Sequence, residues 1–296
     1  MNPLIENNPL NPIVETDLIL NTDGSVYHLN ILPEDLADTI ITVGDPDRVA
    51  EVSQHFDRIE LKKGKREFIT HTGTIGTKRI TVLSTGIGTD NIDIVLNELD
   101  ALVNVDFNTR LPKTSLTSLK IIRIGTSGAI QEDIAIDSIL VSEFALGLDV
   151  LMRFYIQNMT DEEHSILNEM KNHFHPVDEF WSYISSADAG LLKHIGYDLQ
   201  HGITITAPGF YSPQGREVRA KNAIPNLISR LQAFRLHAHR FTNLEMETAG
   251  IYALSTALGH RALSVNAILA SRVKKEFSKN PEKIIDKAIR LVLERL

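Results

Sequence analysis

A single arginine set in a run of apolar residues is the first feature of this chain that could do chemistry. Arg123 lies within Leu119-Lys120-Ile121-Ile122-Arg123-Ile124, which has the apolar, β-branched character of a central strand. Burying a guanidinium there is costly unless it is paired. One reading is a structural ion pair. The other joins Arg123 to Arg48 and to the backbone N–H groups of Gly125-Thr126-Ser127-Gly128, read as a small-residue loop, to make an anion pocket. Backbone donors, a helix N-terminus and the guanidinium fork all favour phosphate, so a phosphate-sized ligand is the preferred reading.

Two more groups could act beside it. Glu245-Met246-Glu247 opens the helical run Thr248 to Leu258, so at least one carboxylate lies at a helix N-terminus. Helix-cap electrostatics would explain that placement; so would a need to accept hydrogen bonds from paired ribose hydroxyls. The segment Phe210-Tyr211-Ser212-Pro213-Gln214-Gly215-Arg216 puts an aromatic ring, a carboxamide and a guanidinium in one turn-rich stretch. It reads either as a surface turn or as a nucleobase site, where Gln214 both donates and accepts, Arg216 donates and Phe210 covers a flat ring.

Other patterns are set aside. Gly86-Ile87-Gly88 begins like a dinucleotide fingerprint but lacks the third glycine and the acidic residue that should follow. Gly125-Thr126-Ser127-Gly128-Ala129 imitates a nucleophile elbow, yet His201, His237, His239 and His260 stand in no diagnostic context for a triad. The pairs His173/His175 and His237/His239 have no third ligand at metal spacing, so no metal site is expected. The chain has no cysteine, which removes thiolate nucleophiles, disulfides and Cys-ligated metals.

The elements that must position these residues follow a βα rhythm. Thr39–Val43 reads as a strand ending at Gly44, after which Asp45 can cap a helix, Pro46 occupies its first position and Arg48 falls in its first turn. Arg79–Ser84 leads into Gly86 and Gly88 and then to a helix with Ile92, Val95, Leu96, Leu99 and Leu102 on one face. Further strands are expected near 138–142, 201–206 and 262–269, and helices near 160–173, 187–196, 246–258 and 281–295. Residues 1–24, rich in Asn and Pro, read as an irregular arm before one domain over 25–296. At 296 residues and 43% hydrophobic, the chain can bury about three-quarters of its unfolded surface. Its 30 basic against 38 acidic side chains give a net charge of −8, which argues against nucleic acid as a partner. No apolar stretch is long enough to span a bilayer, no signal segment is evident, and a cytoplasmic location is expected.

Anion pocket, ribose acceptor and base edge together suit a nucleoside plus phosphate, and the ordered motifs carry a resemblance. Val26-Tyr27-His28-Leu29, Gly44 to Arg48, Arg66-Glu67-Phe68, Ser84 to Gly88, Arg123 to Ala129, Phe210 to Arg216 and Glu245 to Thr248 resemble the uridine phosphorylases of the nucleoside phosphorylase superfamily. The resemblance spans about residues 26 to 295. It implies a single-domain, three-layer α/β/α fold around a mixed, partly barrel-like sheet. It also implies reversible phosphorolysis of uridine to uracil and ribose 1-phosphate, a step of pyrimidine salvage with phosphate as co-substrate and no cofactor.

Carried over by position, the resemblance assigns Gly44, Arg48, Arg123 and Thr126 to phosphate, with Arg66 supplied by a neighbouring subunit. Met246 and Glu247 would bind ribose, with the neighbour's His28 near the 5′-hydroxyl. Gln214 and Arg216 would read the base, with Phe210 and Gly128 beside it. Arg123, Gln214, Arg216 and Glu247 would carry catalysis. A homodimer at least is implied, and a hexamer built as a trimer of dimers is left open. Two departures stand out. Pro213 replaces the usual Gly before the base-reading Gln, which would stiffen or shift that loop. Asn91 stands where relatives that bind a monovalent cation at the dimer interface have Ser, opposite Glu67, which disfavours the cation. The rivals are a purine nucleoside phosphorylase, which would carry an Asp where this chain has Ser271, a phosphate-independent nucleosidase, and a nucleoside-binding regulatory module without turnover.

Overall fold

Every strand that ends in a motif named above joins one mixed sheet. The computed structural model describes residues 11–175 and 182–296. In chain order the elements begin with β1 (Thr39–Val43), α1 (Pro46–Ser53), β2 (Arg58–Lys65), β3 (Phe68–Ile75), β4 (Lys78–Ser84) and α2 (Thr89–Asn104). A small separate hairpin of β5 (Val105–Asp106) and β6 (Leu111–Pro112) follows, then β7 (Lys120–Ala129), β8 (Ile139–Gly147), α3 (Asp161–Phe174), β9 (Tyr183–Ser186) and α4 (Ala189–Ile195). The chain ends with β10 (Gln200–Thr206), α5 (Leu227–Ala233), β11 (Phe241–Glu245), α6 (Thr248–Leu258), β12 (Arg261–Ser271), β13 (Glu276–Phe277) and α7 (Pro281–Arg295).

Five strands close on themselves. β7 pairs in parallel with β12, β12 antiparallel with β8, β8 in parallel with β10, β10 in parallel with β11, and β11 returns antiparallel to β7. From this barrel an open wing extends through β1, β4, β3 and β2. β7 belongs to both parts, since β1 pairs with it as far as Arg123 while β11 pairs with it only at Gly128 and Ala129. The sheet therefore splits between Arg123 and Gly128, and the split opens the crevice in which ligands of α/β sheets bind.

Apolar faces cover the sheet on both sides. α2 and α6 bury Ile92, Val95, Leu96, Leu99, Leu102, Ile251 and Leu254 against one face, while α1, α4 and α7 bury Val49, Val52, Leu191, Ile284, Ile289 and Val292 against the other. A third cluster ties α3 and α5 to the outside of the barrel through Ile166, Met170, Leu231 and Phe241. The helices expected near 160–173, 187–196, 246–258 and 281–295 all form. Within the proposed arm, residues 11–24 are irregular, with one bridge between Leu20 and Val26; residues 1–10 lie outside the described part.

One expectation about the backbone is corrected. Gly125 to Gly128 is not a loop: β7 continues through it to Ala129, bonded to β12 along its whole length. The glycine at 125 serves side-chain packing, because a Cβ there would lie 1.7 Å from Arg123 Nη1. Arg123 and Gly125 share one face of the strand by its two-residue period, and the guanidinium folds back over the space the missing side chain leaves.

Candidate active site

At the split in the sheet lies a cavity of about 890 Å³. Gly44 and Arg48 line it from the β1–α1 turn, Arg123, Thr126 and Gly128 from β7, and Met246 and Glu247 from the turn after β11. Phe210, Gln214 and Arg216 line its far end. The structure thus gathers into one cavity ten residues that the sequence spreads over two hundred positions. The other two, His28 and Arg66, do not line the cavity of their own chain. His28 Nδ1 is 2.6 Å from Glu98, and Arg66 occupies the tight turn between β2 and β3 with φ +57°.

Local chemistry sets each position. Asp45 caps α1 by accepting from the Asp47 N–H at 3.0 Å, with Pro46 at the start of the helix. That places Arg48 in the first turn, where the helix dipole adds to its own charge. Burial lowers the Arg48 pKa, Asp45 and Glu51 oppose the shift, and Arg123 adds to it. Arg48 Nε is buried with no hydrogen-bond partner among the described residues. A buried donor left unsatisfied costs stability until a ligand accepts from it.

Arg123 is 5% exposed and fully engaged on its inner side. Nη2 donates to Glu247 at 2.6 Å and lies 3.0 Å from Glu245, while Nη1 donates to Asn266 at 3.1 Å. Burial alone would lower its pKa, but Glu245 and Glu247 outweigh that and raise it. Both readings of Arg123 therefore meet in one side chain, which is ion-paired and lines the cavity. Glu247 stands at the residue before α6 without capping it through its side chain, and it accepts from the Gly88 N–H at 2.9 Å. Its pKa is raised, first by burial and then by Glu245, with Arg123 opposing. Two carboxylates facing one guanidinium leave an excess negative charge in a dry place, which is the physical cause of that rise.

Glu245 was missed as a functional candidate. Its carboxylate accepts from the Glu247 and Thr248 N–H groups and from Thr206, so it holds the turn that presents Met246 and Glu247. An alternating Glu-x-Glu before a helix was its only signal. The barrel interior beneath Arg123 is also polar: Asn266 donates to Ser142, Ser142 bonds Thr204, Thr204 donates to Asn243, and Asn243 donates to Ser127. Ser127 thus accepts from an amide inside a strand, with none of the four histidines named above as its partner. The nucleophile elbow falls on geometry, because such an elbow needs a strand-to-helix turn.

At the far end, Ser212–Gln214 forms a 3₁₀ turn with Pro213 inside it and Gly215 closing it at φ +67°. Proline is compatible with this turn because it sits in the first two positions, where no helical N–H bond is lost. Gln214 is buried, and its Oε1 accepts from Arg216 Nη1 at 2.7 Å. Arg216 stacks 3.8 Å above the Phe210 ring, and burial, reinforced by the charge of Arg272, lowers its pKa to about 10. Arg272 is a second residue that the sequence reading missed. Its stem packs on Gly128, and its Nη1 is buried without a partner among the described residues. An arginine directly after the apolar run of β12 was the available signal. Ile87, Leu269, Ala270 and Phe277 complete the walls.

Among the described residues no group of three His, Asp or Glu is arranged to hold a metal ion. Glu67 and Asn91 do meet, and the Asn91 amide donates to Glu67 Oε1 at 3.4 Å. No described helix is long and apolar enough to cross a membrane.

Comparison with known proteins places this geometry. The family model of the phosphorylase superfamily matches residues 38–296. A uridine phosphorylase of Thermococcus kodakarensis is 30% identical over 276 residues, covering 92% of this chain and 88% of that protein. A DeoD-type purine nucleoside phosphorylase of Oceanobacillus iheyensis is 28% identical over 239 residues, covering 80% of this chain and 84% of its own. Among solved structures, a Trypanosoma brucei nucleoside phosphorylase described as showing uridine phosphorylase activity superposes with a TM-score of 0.86 at 31% identity. It covers 95% of this chain and 99% of its own. A uridine phosphorylase of Phytophthora capsici shares the fold, with a TM-score of 0.68 at 21% identity over 96% of this chain and 98% of its own.

Proposed function

This chain belongs to the phosphorylase superfamily, and from that premise we propose that it catalyses the reversible phosphorolysis of uridine to uracil and ribose 1-phosphate. The observation that carries the choice of base is the far end of the cavity. There Gln214 and Arg216 offer a carboxamide and a guanidinium already bonded to each other, with the charge of Arg272 acting on Arg216 and no carboxylate among these three. Cleavage of the glycosidic bond leaves negative charge on uracil, and this pair stabilises that charge more than it stabilises neutral uridine. Such differential binding is what lowers the barrier. The bond from Arg216 to Gln214 Oε1 leaves the Gln214 N–H groups as donors for the base and a second lone pair on its oxygen for an N–H of the ring.

No protein nucleophile is needed. Phosphate held by Arg48, Arg123, Gly44 and Thr126 attacks C1′ from below as the bond to the base loosens, and the sugar passes through an oxocarbenium-like state. Glu247 accepts from the ribose hydroxyls and Met246 packs beside the sugar, so the protein supplies position and charge. Thermococcus and Trypanosoma relatives with uridine phosphorylase in their descriptions support this reading. The DeoD-type relatives favour purine as the second reading. Ser271, at the position where that reading needs an acid, is 2% exposed, and its Oγ caps the next turn by accepting from the Lys274 N–H. A hydroxyl with that role is a poor proton donor.

The assembly we propose is a homodimer at least, with Arg66 reaching the neighbour's phosphate and His28 its 5′-hydroxyl. The deciding experiment measures uracil release from uridine against phosphate concentration, with inosine in parallel. Release that saturates with phosphate, and slow inosine cleavage, are expected. Equal release without phosphate would make the protein a nucleosidase, faster inosine cleavage would make it a purine enzyme, and no turnover of either would make it a binding module.

A further inference from the structure

His28 and Arg66, the two site residues that stay outside the cavity of their own chain, are held on one platform. Its foundation is Glu98 of α2, a carboxylate 9% exposed. Glu98 accepts from the His28 N–H at 3.0 Å and from the Leu29 N–H at 2.8 Å, and its Oε1 lies 2.6 Å from His28 Nδ1. Val26 and Leu29 on either side are fully buried, so this backbone is anchored while the His28 ring stays partly open. The ring stands edge-on to Tyr27, with centroids 4.9 Å apart, and to Phe68 at 6.4 Å. Tyr27 in turn joins the end of β2: Lys65 Nζ lies 4.0 Å from its ring and donates to its carbonyl oxygen. The next residue is Arg66.

A carboxylate only accepts, so in the neutral imidazole the ring proton sits on Nδ1 and Nε2 is a bare acceptor. Nε2 meets no hydrogen-bond partner among the described residues. We infer that Glu98 is a positioning residue for the 5′ end of the sugar: it fixes both the aim and the tautomer of His28, so that Nε2 accepts from a free 5′-hydroxyl. This rests on the reading of His28 as the contact to the neighbour's 5′-hydroxyl. The physical need is plain. An imidazole on a surface segment rotates about two bonds and exchanges tautomers, and only a partner that holds one nitrogen makes the other a defined acceptor. Glu98 does so with the same carboxylate that holds the backbone beneath the ring, which ties the direction of Nε2 to the rigid frame of α2.

The test follows the preference in kcat/KM for uridine over 5′-deoxyuridine, a ratio from which losses common to both substrates cancel. Wild type is compared with His28→Ala, Glu98→Gln and the double variant, with circular dichroism checking the fold. Wild type is expected to prefer uridine about tenfold, the worth of one good hydrogen bond. Glu98→Gln puts a donor among N–H groups that all need an acceptor, so it should lose that preference as His28→Ala does, and the double variant should lose no more than either. Nitrogen NMR of the wild-type His28 ring should show the proton on Nδ1. A preference lost in His28→Ala but kept in folded Glu98→Gln, or a ring proton on Nε2, overturns the inference and leaves the reading of His28 standing. A preference kept in His28→Ala refutes that reading, and the inference with it. Should Glu98→Gln fail to fold, the wild-type tautomer decides. The choice of base does not enter, because inosine against 5′-deoxyinosine gives the same ratio in a purine enzyme.

Discussion

Replacing Gly125 by Ala should be far more damaging than a glycine-to-alanine change inside a strand has any right to be. Gly125 sits in β7 with no left-handed backbone, so on conformational grounds Ala would stabilise the chain by roughly 0.4–1 kcal/mol. The new Cβ, however, would lie 1.7 Å from Arg123 Nη1, 2.3 Å from Cζ and 2.7 Å from Nη2. Reaching ordinary carbon contact requires the guanidinium to retreat by about 2 Å. The 2.6 Å bond to Glu247 and the 3.0 Å contact with Glu245 cannot survive such a shift. Two buried carboxylates then lose their partner, a loss of about 3–5 kcal/mol, which outweighs the backbone gain several-fold. Phosphate loses one of its donors in the same step, and misplacement by an ångström or more costs about a hundredfold in rate. Urea unfolding followed by circular dichroism measures the first effect, and uridine phosphorolysis at saturating uridine with varied phosphate measures the second. Wild-type stability together with wild-type phosphate dependence in Gly125→Ala would refute the packing argument and the role given to Arg123.

The remaining expectations concern the two ends of the cavity. Glu247→Gln should lower uridine turnover by about a hundredfold and affect 2′-deoxyuridine less, because one of the hydroxyls it serves is already missing; equal losses on the two nucleosides would leave Glu247 as a structural partner of Arg123 and Gly88 only. Because the Glu247 pKa is raised, wild-type turnover should begin to fall on the acid side at a higher pH than an ordinary glutamate would set, and that limb should disappear in Glu247→Gln. The stability contribution has the opposite sign: the folded chain takes up this proton at higher pH than the unfolded chain, so the contribution is full below the unfolded pKa and is lost as pH rises through the folded one. Chemical denaturation across that range, wild type against Glu247→Gln, checks it. Gln214→Ala or Arg216→Ala should abolish most uridine turnover while leaving ribose 1-phosphate affinity within about twofold, since these side chains face only the base. Mixing inactive Arg66→Ala with inactive Glu247→Ala should restore up to about half the activity in each mixed dimer, because one site then carries both lesions and the other neither; no recovery despite proven subunit exchange would show that each chain builds its own site.

How far the sequence could be read depended on which side chains faced apolar surroundings. α2 announces itself because Ile92, Val95, Leu96, Leu99 and Leu102 recur at helical spacing and all are buried. β1 and its cap are equally legible, since Asp45 and Pro46 act on the backbone within three residues. β11 is not. Phe241-Thr242-Asn243-Leu244-Glu245 looks like a polar linker, yet it is a wholly buried strand. Thr242 and Asn243 point polar atoms at one another and at Ser127 and Thr204, so apolar periodicity had nothing to detect. β2 was overlooked for a different reason: it is an edge strand with alternating exposure, rich in Lys, which protects an edge from unwanted pairing but hides it from an apolar scan.

The same division runs through the site. Residue types and short spacings in the chain are enough to propose an anion pocket, a carboxylate at a helix start and a base-reading loop, because caps, dipoles and hydrogen-bonding capacity are local properties. They also carry the resemblance that ordered those pieces into one reaction. Whether Arg123 is ion-paired or ligand-facing was beyond them, since its partners Glu247 and Asn266 lie 124 and 143 residues away. Closure of five strands into a barrel brings them together and turns Gly125 from a supposed loop residue into the floor under a guanidinium. Arg48 and Arg272 are left with buried donors that have no partner among the described residues. Only the tertiary structure decides which charges share a dry space, because desolvation and pairing are set by what surrounds a side chain and not by its neighbours along the chain.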